Sequence, residues 1–135
     1  MRTAAPPIKA RARSIAFRVL EILLALAFFG EGCAKLTGFT STVAEFNTVG
    51  LGQWFRYFTA ICEIVGAGLL IAPRMTAFGA VLLGVVCVGA FFAQLLALHG
   101  DVIHTIVLAA ILFAVAWVHR AQILQMTGRS EPVRG

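Results

Sequence analysis

The sequence predicts an all-α integral membrane protein, an antiparallel four-helix bundle with a short interfacial helix between spans 1 and 2. Of the 135 residues, 60% are hydrophobic and 13% are charged, whereas a soluble domain has about 25% charged residues. Four apolar runs are present, each close to the roughly 20 residues that a membrane span requires. Lysine and arginine gather at the flanks of these runs, which indicates a lipid bilayer as the partner and not a nucleic acid.

The first span is predicted at residues 15–37, after a basic tail at residues 1–14. We expect this tail to lie against an anionic membrane surface. The apolar run is too long for a signal peptide, and charged residues occupy the place of a cleavage site, so we interpret the run as a retained span. Residues 41–47 form an amphipathic stretch, which predicts a short helix at the membrane interface.

Three further spans follow, separated by two short turns and ended by a polar tail. Pro73 and Arg74 form the first turn. The two ends of the chain and this turn hold nine of the eleven lysines and arginines. The positive-inside rule therefore predicts a multi-pass protein of the cytoplasmic (inner) membrane with both termini in the cytoplasm. The predicted ranges are 53–72, 76–98 and 102–120 for the spans and 121–135 for the cytoplasmic tail.

Ionisable residues inside the spans indicate where a site would lie. Glu31 and Lys35 stand four residues apart, in the order that favours an ion pair on one helix, and Glu63 lies in the second span. A charge at the centre of a span costs about 2.5–3.5 kcal/mol, so such residues normally face the bundle interior and pair. We predict a polar pocket in the outer half of the bundle, with the candidate ligand-binding residues Glu31, Lys35, Trp54, Glu63, Gln94, His99 and His104.

The sequence leaves two interpretations of this cluster open. The ion pairs either only set the register of the helices, or they line a pocket that binds a small polar or quinone-like molecule or relays protons. The candidate catalytic residues under the second interpretation are Glu31, Glu63 and Lys35. No metal site is predicted, because His99 and His104 lack a third and a fourth ligand at a suitable spacing.

Other polar residues are expected at the inner end of the bundle. Arg18 and Glu21 lie three residues apart on one helix face, away from the outer cluster. His119 and Arg120 are interpreted as a cytoplasmic anchor. The three cysteines form no Cys-x-x-Cys motif, so neither a thioredoxin-like redox pair nor a zinc site is predicted.

Several motifs in this order resemble the DoxX-like family of small bacterial membrane proteins over about residues 15–120. The first is Phe29-x-x-Gly32-x-x-Lys35-Leu36, the second is Glu63-x-x-Gly66-Ala67-Gly68, and the third is Pro73-Arg74. The resemblance implies a four-span bundle in the cytoplasmic membrane. Some relatives look like subunits of thiosulfate:quinone oxidoreductase, and others are associated with membrane redox or thiol-stress complexes. The residues that match the family pattern are Gly32, Lys35, Glu63, Gly66 and Pro73.

The leading functional hypothesis is an accessory or small-molecule-binding subunit of a membrane redox system, with a quinone as the candidate cofactor and a redox protein as the candidate partner. The first alternative is an enzyme, either a quinone-linked oxidoreductase or an acid–base isomerase. It would use Glu31 and Glu63 as proton-transfer groups and Lys35 as their charge partner. The second alternative is a small proton-coupled carrier, which would need a homodimer to enclose a path; Gly66 and Gly68 would suit either a dimer face or an internal helix contact.

Overall fold

The computed structural model describes residues 8–126, and every regular element in that range is helical, which confirms the all-α class. Residues 1–7 and 127–135, which belong to the two predicted tails, lie outside the described residues. The fourth helix continues into one π-helical turn. The bounds are Ile8–Thr37 for α1, Thr40–Val49 for α2, Gln53–Ile71 for α3, Thr76–Ala93 for α4 with its π-helical turn Gln94–Leu98, Val102–Val118 for α5 and Arg120–Met126 for α6.

Helices occupy all four ranges predicted as spans, and helical structure also extends into both stretches predicted as tails. Helix α1 begins at Ile8 and not near residue 15, and residues 120–126 form the separate helix α6. Both additions are rich in alanine, arginine, lysine, leucine or glutamine. These residues favour helix even outside an apolar run, because their side chains lose little freedom in it.

The connections between the long helices have clear local causes. Gly50 ends α2 in a left-handed conformation with φ of 81°, and its N–H donates to the carbonyl of Phe46. Helix α2 is held against α3, where the Gln53 side-chain amide donates to Asn47 Oδ1 at 2.6 Å. At the start of α5, Asp101 Oδ1 accepts from the backbone N–H of Ile103 at 2.9 Å, which caps the helix.

The helices pack in sequence, α1 on α3, α3 on α4 and α4 on α5. Glycine sets the closest approach between α3 and α4, since a Cβ on Gly79 would lie 2.5 Å from Leu70 N and 2.7 Å from Gly66 O. Gly68 has no heavy atom within 4 Å of its Cβ position. One apolar core joins four helices through Leu24, Ala25, Phe28, Ala67, Leu70, Ala80, Leu83, Cys87, Leu112, Val115 and Ala116.

Much of the apolar surface faces away from this core. Within residues 8–126, two helices are long and apolar enough to cross a membrane, Gln53–Ile71 and Thr76–Leu98, and Val102–Val118 is apolar but shorter. Only 17% of the apolar window of Thr76–Leu98 is buried inside the molecule. Large side chains such as Leu96, at 71% exposure, and Trp117, at 68%, point outward. A core helix of a soluble protein would bury such residues, so this surface fits contact with lipid.

Candidate functional site

The three charged residues singled out in the first two spans meet in the structure. Lys35 Nζ lies 3.0 Å from both carboxylate oxygens of Glu63 and 3.5 Å from Glu31 Oε2. The side chain of Glu63 is 6% exposed and that of Lys35 is 12% exposed, whereas that of Glu31 is 67% exposed. A buried pair therefore links α1 to α3, and an accessible carboxylate stands beside it.

Close packing of α1 on α3 explains how Lys35 reaches Glu63. A Cβ on Gly32 would lie 2.7 Å from Ile64 Cγ1 and 3.0 Å from the carbonyl oxygen of Ala60. Any larger residue at this position would push the two helices apart. Gly32 thus keeps α1 near enough for the lysine ammonium to touch both oxygens of the acid on the neighbouring helix.

A fourth charged residue, Arg56, belongs to the same group, and sequence reasoning missed it. It is 5% exposed, its Nη1 donates to the backbone carbonyl of Lys35, and its Nε donates to Gln53 Oε1 at 2.7 Å. Its guanidinium also stacks on the ring of Tyr57 at 4.4 Å. Its position one turn inside an apolar helix is only a weak signal, because arginine is also common at the flanks of membrane spans. We call Glu31, Lys35, Arg56 and Glu63 the lysine cluster.

The lysine cluster is balanced in charge and in hydrogen bonds. It contains two carboxylates and two cations, and Arg56 satisfies a carbonyl in the last turn of α1 that has no partner within the helix. Among residues 8–126, no buried side-chain nitrogen or oxygen lacks a hydrogen-bond partner. A network satisfied in this way is the condition under which buried charges are tolerated.

The other four predicted ligand-binding residues do not join the lysine cluster through any hydrogen bond or ion pair. Trp54 is 65% exposed and contacts the rings of its neighbours on α3. The side chain of Gln94 folds back on Gly100, at the position that a Cβ there would take. His99 and His104 are exposed, and within residues 8–126 neither side chain has an ion-pair or hydrogen-bond partner.

A second charged group joins the middle of α1 to the end of α5, where sequence reasoning did not place a site. His119 Nε2 lies 2.7 Å from Glu21 Oε1, and Arg18 Nη1 lies 3.4 Å from Glu21 Oε2. Arg18 Nη2 also donates to the carbonyl of Ile71 at 2.9 Å. The interpretation of His119 as a surface anchor is therefore incomplete, since its ring binds a carboxylate that is 4% exposed.

This second group lines an open cavity of about 830 Å³. We call it the basic cavity, because cationic residues predominate among its charged side chains. No residue of the lysine cluster lines it. The described residues also contain no group of three histidine, cysteine or acidic side chains placed to hold a metal ion. The residues around the basic cavity are Lys9, Arg13, Ser14, Phe17, Arg18, Glu21, Pro73, Arg74, Thr76, Val118, His119 and Gln122.

Apolar outward surfaces together with ion pairs between helices define a small helical membrane protein. The chain belongs to the DoxX-like family, whose sequence model matches residues 19–119, and this confirms the resemblance found in the sequence. It is similar to a Bacillus subtilis (strain 168) protein named "Putative oxidoreductase CatD", with 28% identity over 72 residues. Those residues are 53% of this chain and 54% of the relative, so the match spans about half of either protein. No solved structure matches the chain significantly.

Proposed function

We propose that this protein is a small-molecule-binding subunit of a membrane redox system, and that the lysine cluster is its ligand site. In this proposal the four long helices cross the cytoplasmic membrane as an antiparallel bundle with both termini in the cytoplasm. The distribution of lysine and arginine supports that orientation, because the turn after α3 and both chain ends are basic. The lysine cluster then lies in the outer half of the bundle.

The observation that carries the proposal is the unequal exposure within the lysine cluster. The ammonium group of Lys35 directs its three donors at Glu63 and Glu31. Its contact with Glu31 is the longest, at 3.5 Å, and involves an exposed carboxylate. A ligand hydroxyl could donate to Glu31, and a ligand carbonyl could take over the donor that Lys35 now directs at Glu31. Glu63 would keep the lysine in place during this exchange.

A quinone and its quinol fit these two requirements, since one form accepts hydrogen bonds and the other donates them. The outward apolar surface of α1 and α3, which includes the half-exposed Phe29 and Phe58, would receive the ring and tail. The word oxidoreductase in the name of the Bacillus subtilis relative supports a redox setting. A quinone-type ligand is accordingly our proposed cofactor.

Binding can be tested directly with decylubiquinol, the reduced form that can donate to Glu31, and the protein in dodecyl maltoside, following the fluorescence of the two tryptophans. We expect saturable quenching, weakened about tenfold or more in Glu31→Gln, because a hydrogen bond to a charged group is lost. Glu45→Gln is the matched control, since Glu45 is an exposed acid on α2 outside the lysine cluster. Equal binding by both variants and the parent, or quenching that does not saturate, would contradict the proposal.

Orientation requires a separate test, because a ligand could bind in either topology. A green fluorescent protein fused after Gly135 should fluoresce in cells, and alkaline phosphatase fused after Gly100 should be active. The reverse pair of results would place the lysine cluster in the inner half of the membrane.

A redox partner would be sought by purification in mild detergent, and turnover by the isolated protein in proteoliposomes would favour the enzyme alternative.

A further inference from the structure

The basic cavity has the character of a binding site that is separate from the lysine cluster. Four stretches of the chain form its wall: the first turns of α1, the turn between α3 and α4, the end of α5 and the start of α6. Four cations line it, Lys9, Arg13, Arg18 and Arg74, against one carboxylate, that of Glu21. The cavity therefore carries excess positive charge in a protein with few charges.

The single carboxylate of the cavity is already occupied. Glu21 uses one oxygen for His119, at 2.7 Å, and the other for Arg18, at 3.4 Å. Arg18 is held at both ends of its guanidinium, since its second terminal nitrogen donates to the Ile71 carbonyl. About half of the Arg18 side chain is nonetheless exposed, at 49%. Glu21 thus positions Arg18, whose side chain lines the cavity and remains half exposed.

The remaining cations have no acidic partner. Among residues 8–126, Lys9, Arg13 and Arg74 form no ion pair, and the guanidinium of Arg13 only approaches the ring of Phe17, at 5.8 Å. Among the described residues that line the cavity with them, the carboxylate of Glu21 is the only counter-charge, and it is occupied. An anion that entered the cavity would find donors already gathered from two separate segments of the chain.

Apolar side chains complete the wall. Phe17, Pro73 and Val118 stand among the charged residues. Planar guanidinium groups match the oxygens of phosphate, to which they donate paired hydrogen bonds. Basic pockets between helices at a membrane surface are suited to phosphate headgroups in the same way. We propose that the basic cavity binds a phosphate group, carried either by an anionic phospholipid or by a small soluble phosphate ester.

This site is independent of the proposed redox role. Glu21 and Lys35 are 14 residues apart on α1, which corresponds to about 21 Å along a helix axis. If the bundle has the proposed orientation, the basic cavity opens at the cytoplasmic leaflet. The phosphate contacts themselves need only the cations of the wall, so loss of quinone binding would leave this proposal intact.

The test compares two double variants of equal charge. Arg13→Gln/Arg74→Gln removes two cavity arginines that form no ion pair within residues 8–126. Arg11→Gln/Arg120→Gln removes two arginines, from α1 and the start of α6, that do not line the cavity. Each delipidated protein in dodecyl maltoside would be titrated with phosphatidylglycerol, phosphatidylcholine and, separately, glycerol 3-phosphate. Native mass spectrometry would count the bound lipid, and isothermal calorimetry would measure the soluble ester.

We expect one tightly bound phosphatidylglycerol or glycerol 3-phosphate per chain. Affinity should fall about tenfold or more in the cavity variant, since charged hydrogen bonds are lost, and should change by less than about twofold in the control. Tight binding of phosphatidylglycerol together with weak binding of glycerol 3-phosphate would show that a lipid carries the phosphate group. Comparable affinities for the two compounds would identify a soluble ester. The proposal would be overturned if both double variants lost affinity equally. It would also be overturned if the protein did not prefer phosphatidylglycerol to phosphatidylcholine and did not bind the ester.

Arg18 provides a second variant that probes the same site. Arg18→Gln should weaken phosphate binding at least as much as the double variant, because this guanidinium is held in position by Glu21 and Ile71. Since Arg18 also serves the fold, its thermal unfolding in detergent would be recorded alongside. A folded Arg18→Gln protein with parental affinity would count against the site.

Discussion

The imidazole of His119 lies 2.7 Å from the carboxylate of Glu21, although 98 residues separate them in the chain. The contact joins the middle of α1 to the end of α5, two helices that also share the apolar core. Gln122 extends the arrangement, since its Oε1 accepts from the backbone N–H of Ala77 at 3.0 Å. One histidine therefore helps to hold α1 against the end of α5.

Removing the His119 side chain should destabilise the protein. His119→Ala leaves the 4% exposed carboxylate of Glu21 with Arg18 as its remaining side-chain partner, and the lost hydrogen bond to a charged group is worth about 1.5–3 kcal/mol. Thermal unfolding in detergent measures the effect. His104→Ala is the control, because His104 is exposed and its side chain has no ion-pair or hydrogen-bond partner within residues 8–126. Equal unfolding temperatures for both variants would contradict the pairing.

The Lys35–Glu63 pair should show strong coupling. Lys35→Met leaves a carboxylate that is 6% exposed without its cation, which costs about 3–5 kcal/mol when the pair is buried. Lys35→Met/Glu63→Leu should recover much of this loss, because no unpaired charge remains. Glu31→Gln should cost less than about 1 kcal/mol, since exposed ion pairs contribute little. Chemical unfolding of the parent, Lys35→Met, Glu63→Leu and the double variant gives the coupling free energy, and additive effects would show that the two residues do not interact.

Substitution of Gly79 and of Gly68 by alanine should change the stability of the protein in opposite directions. A Cβ on Gly79 meets the backbone of α3 at 2.5–2.9 Å, which only a shift of the helices can relieve. We expect Gly79→Ala to cost about 1–3 kcal/mol as an overpacking change. Gly68 has open space around its Cβ position, so Gly68→Ala should stabilise helix α3 by up to about 1 kcal/mol. Unfolding temperatures measured side by side would check both signs.

Loss of the Asp101 cap at the start of α5 should lower stability less than loss of the buried ion pair. Asp101→Ala removes the acceptor for the Ile103 N–H and should cost about 1 kcal/mol. Asp101→Asn keeps a side-chain oxygen at the same place and should retain most of the stability. If both substitutions cost the same, the carboxylate charge and not the hydrogen bond would be the important feature. Helix content by circular dichroism would follow the two variants during heating.

Local sequence patterns predicted the long helices and one of the two charged groups, the lysine cluster, apart from Arg56. The four apolar runs indicated the four long helices, and the spacing of Glu31 and Lys35 indicated an ion pair on one helix face. The sequence placed Lys35 and Glu63 in one polar cluster, and the structure shows them paired. Charge in an apolar helix is a strong signal, because the cost of leaving it unpaired restricts where it can point.

The role of Arg56 and the pairing of Glu21 with His119 were not predictable in this way. Arg56 sits at the start of α3, where arginine is ordinary as a flanking residue, and its partner is a backbone carbonyl of another helix. Every residue has a backbone carbonyl, so the sequence does not indicate which carbonyl accepts the hydrogen bond from Arg56. The basic cavity was missed for a related reason, since its wall combines four segments that are individually unremarkable.

By itself, the sequence determined the all-helical class, the apolar outward surface and the presence of an acid–lysine pair near the end of α1. These follow from composition and from periodicity within one helix, which depend on near neighbours. Only the tertiary structure decided which charges meet, which glycines lie between helices and where an open cavity forms. Those features depend on the relative placement of helices, which is set by packing at positions such as Gly32 and Gly79 and not by any single segment.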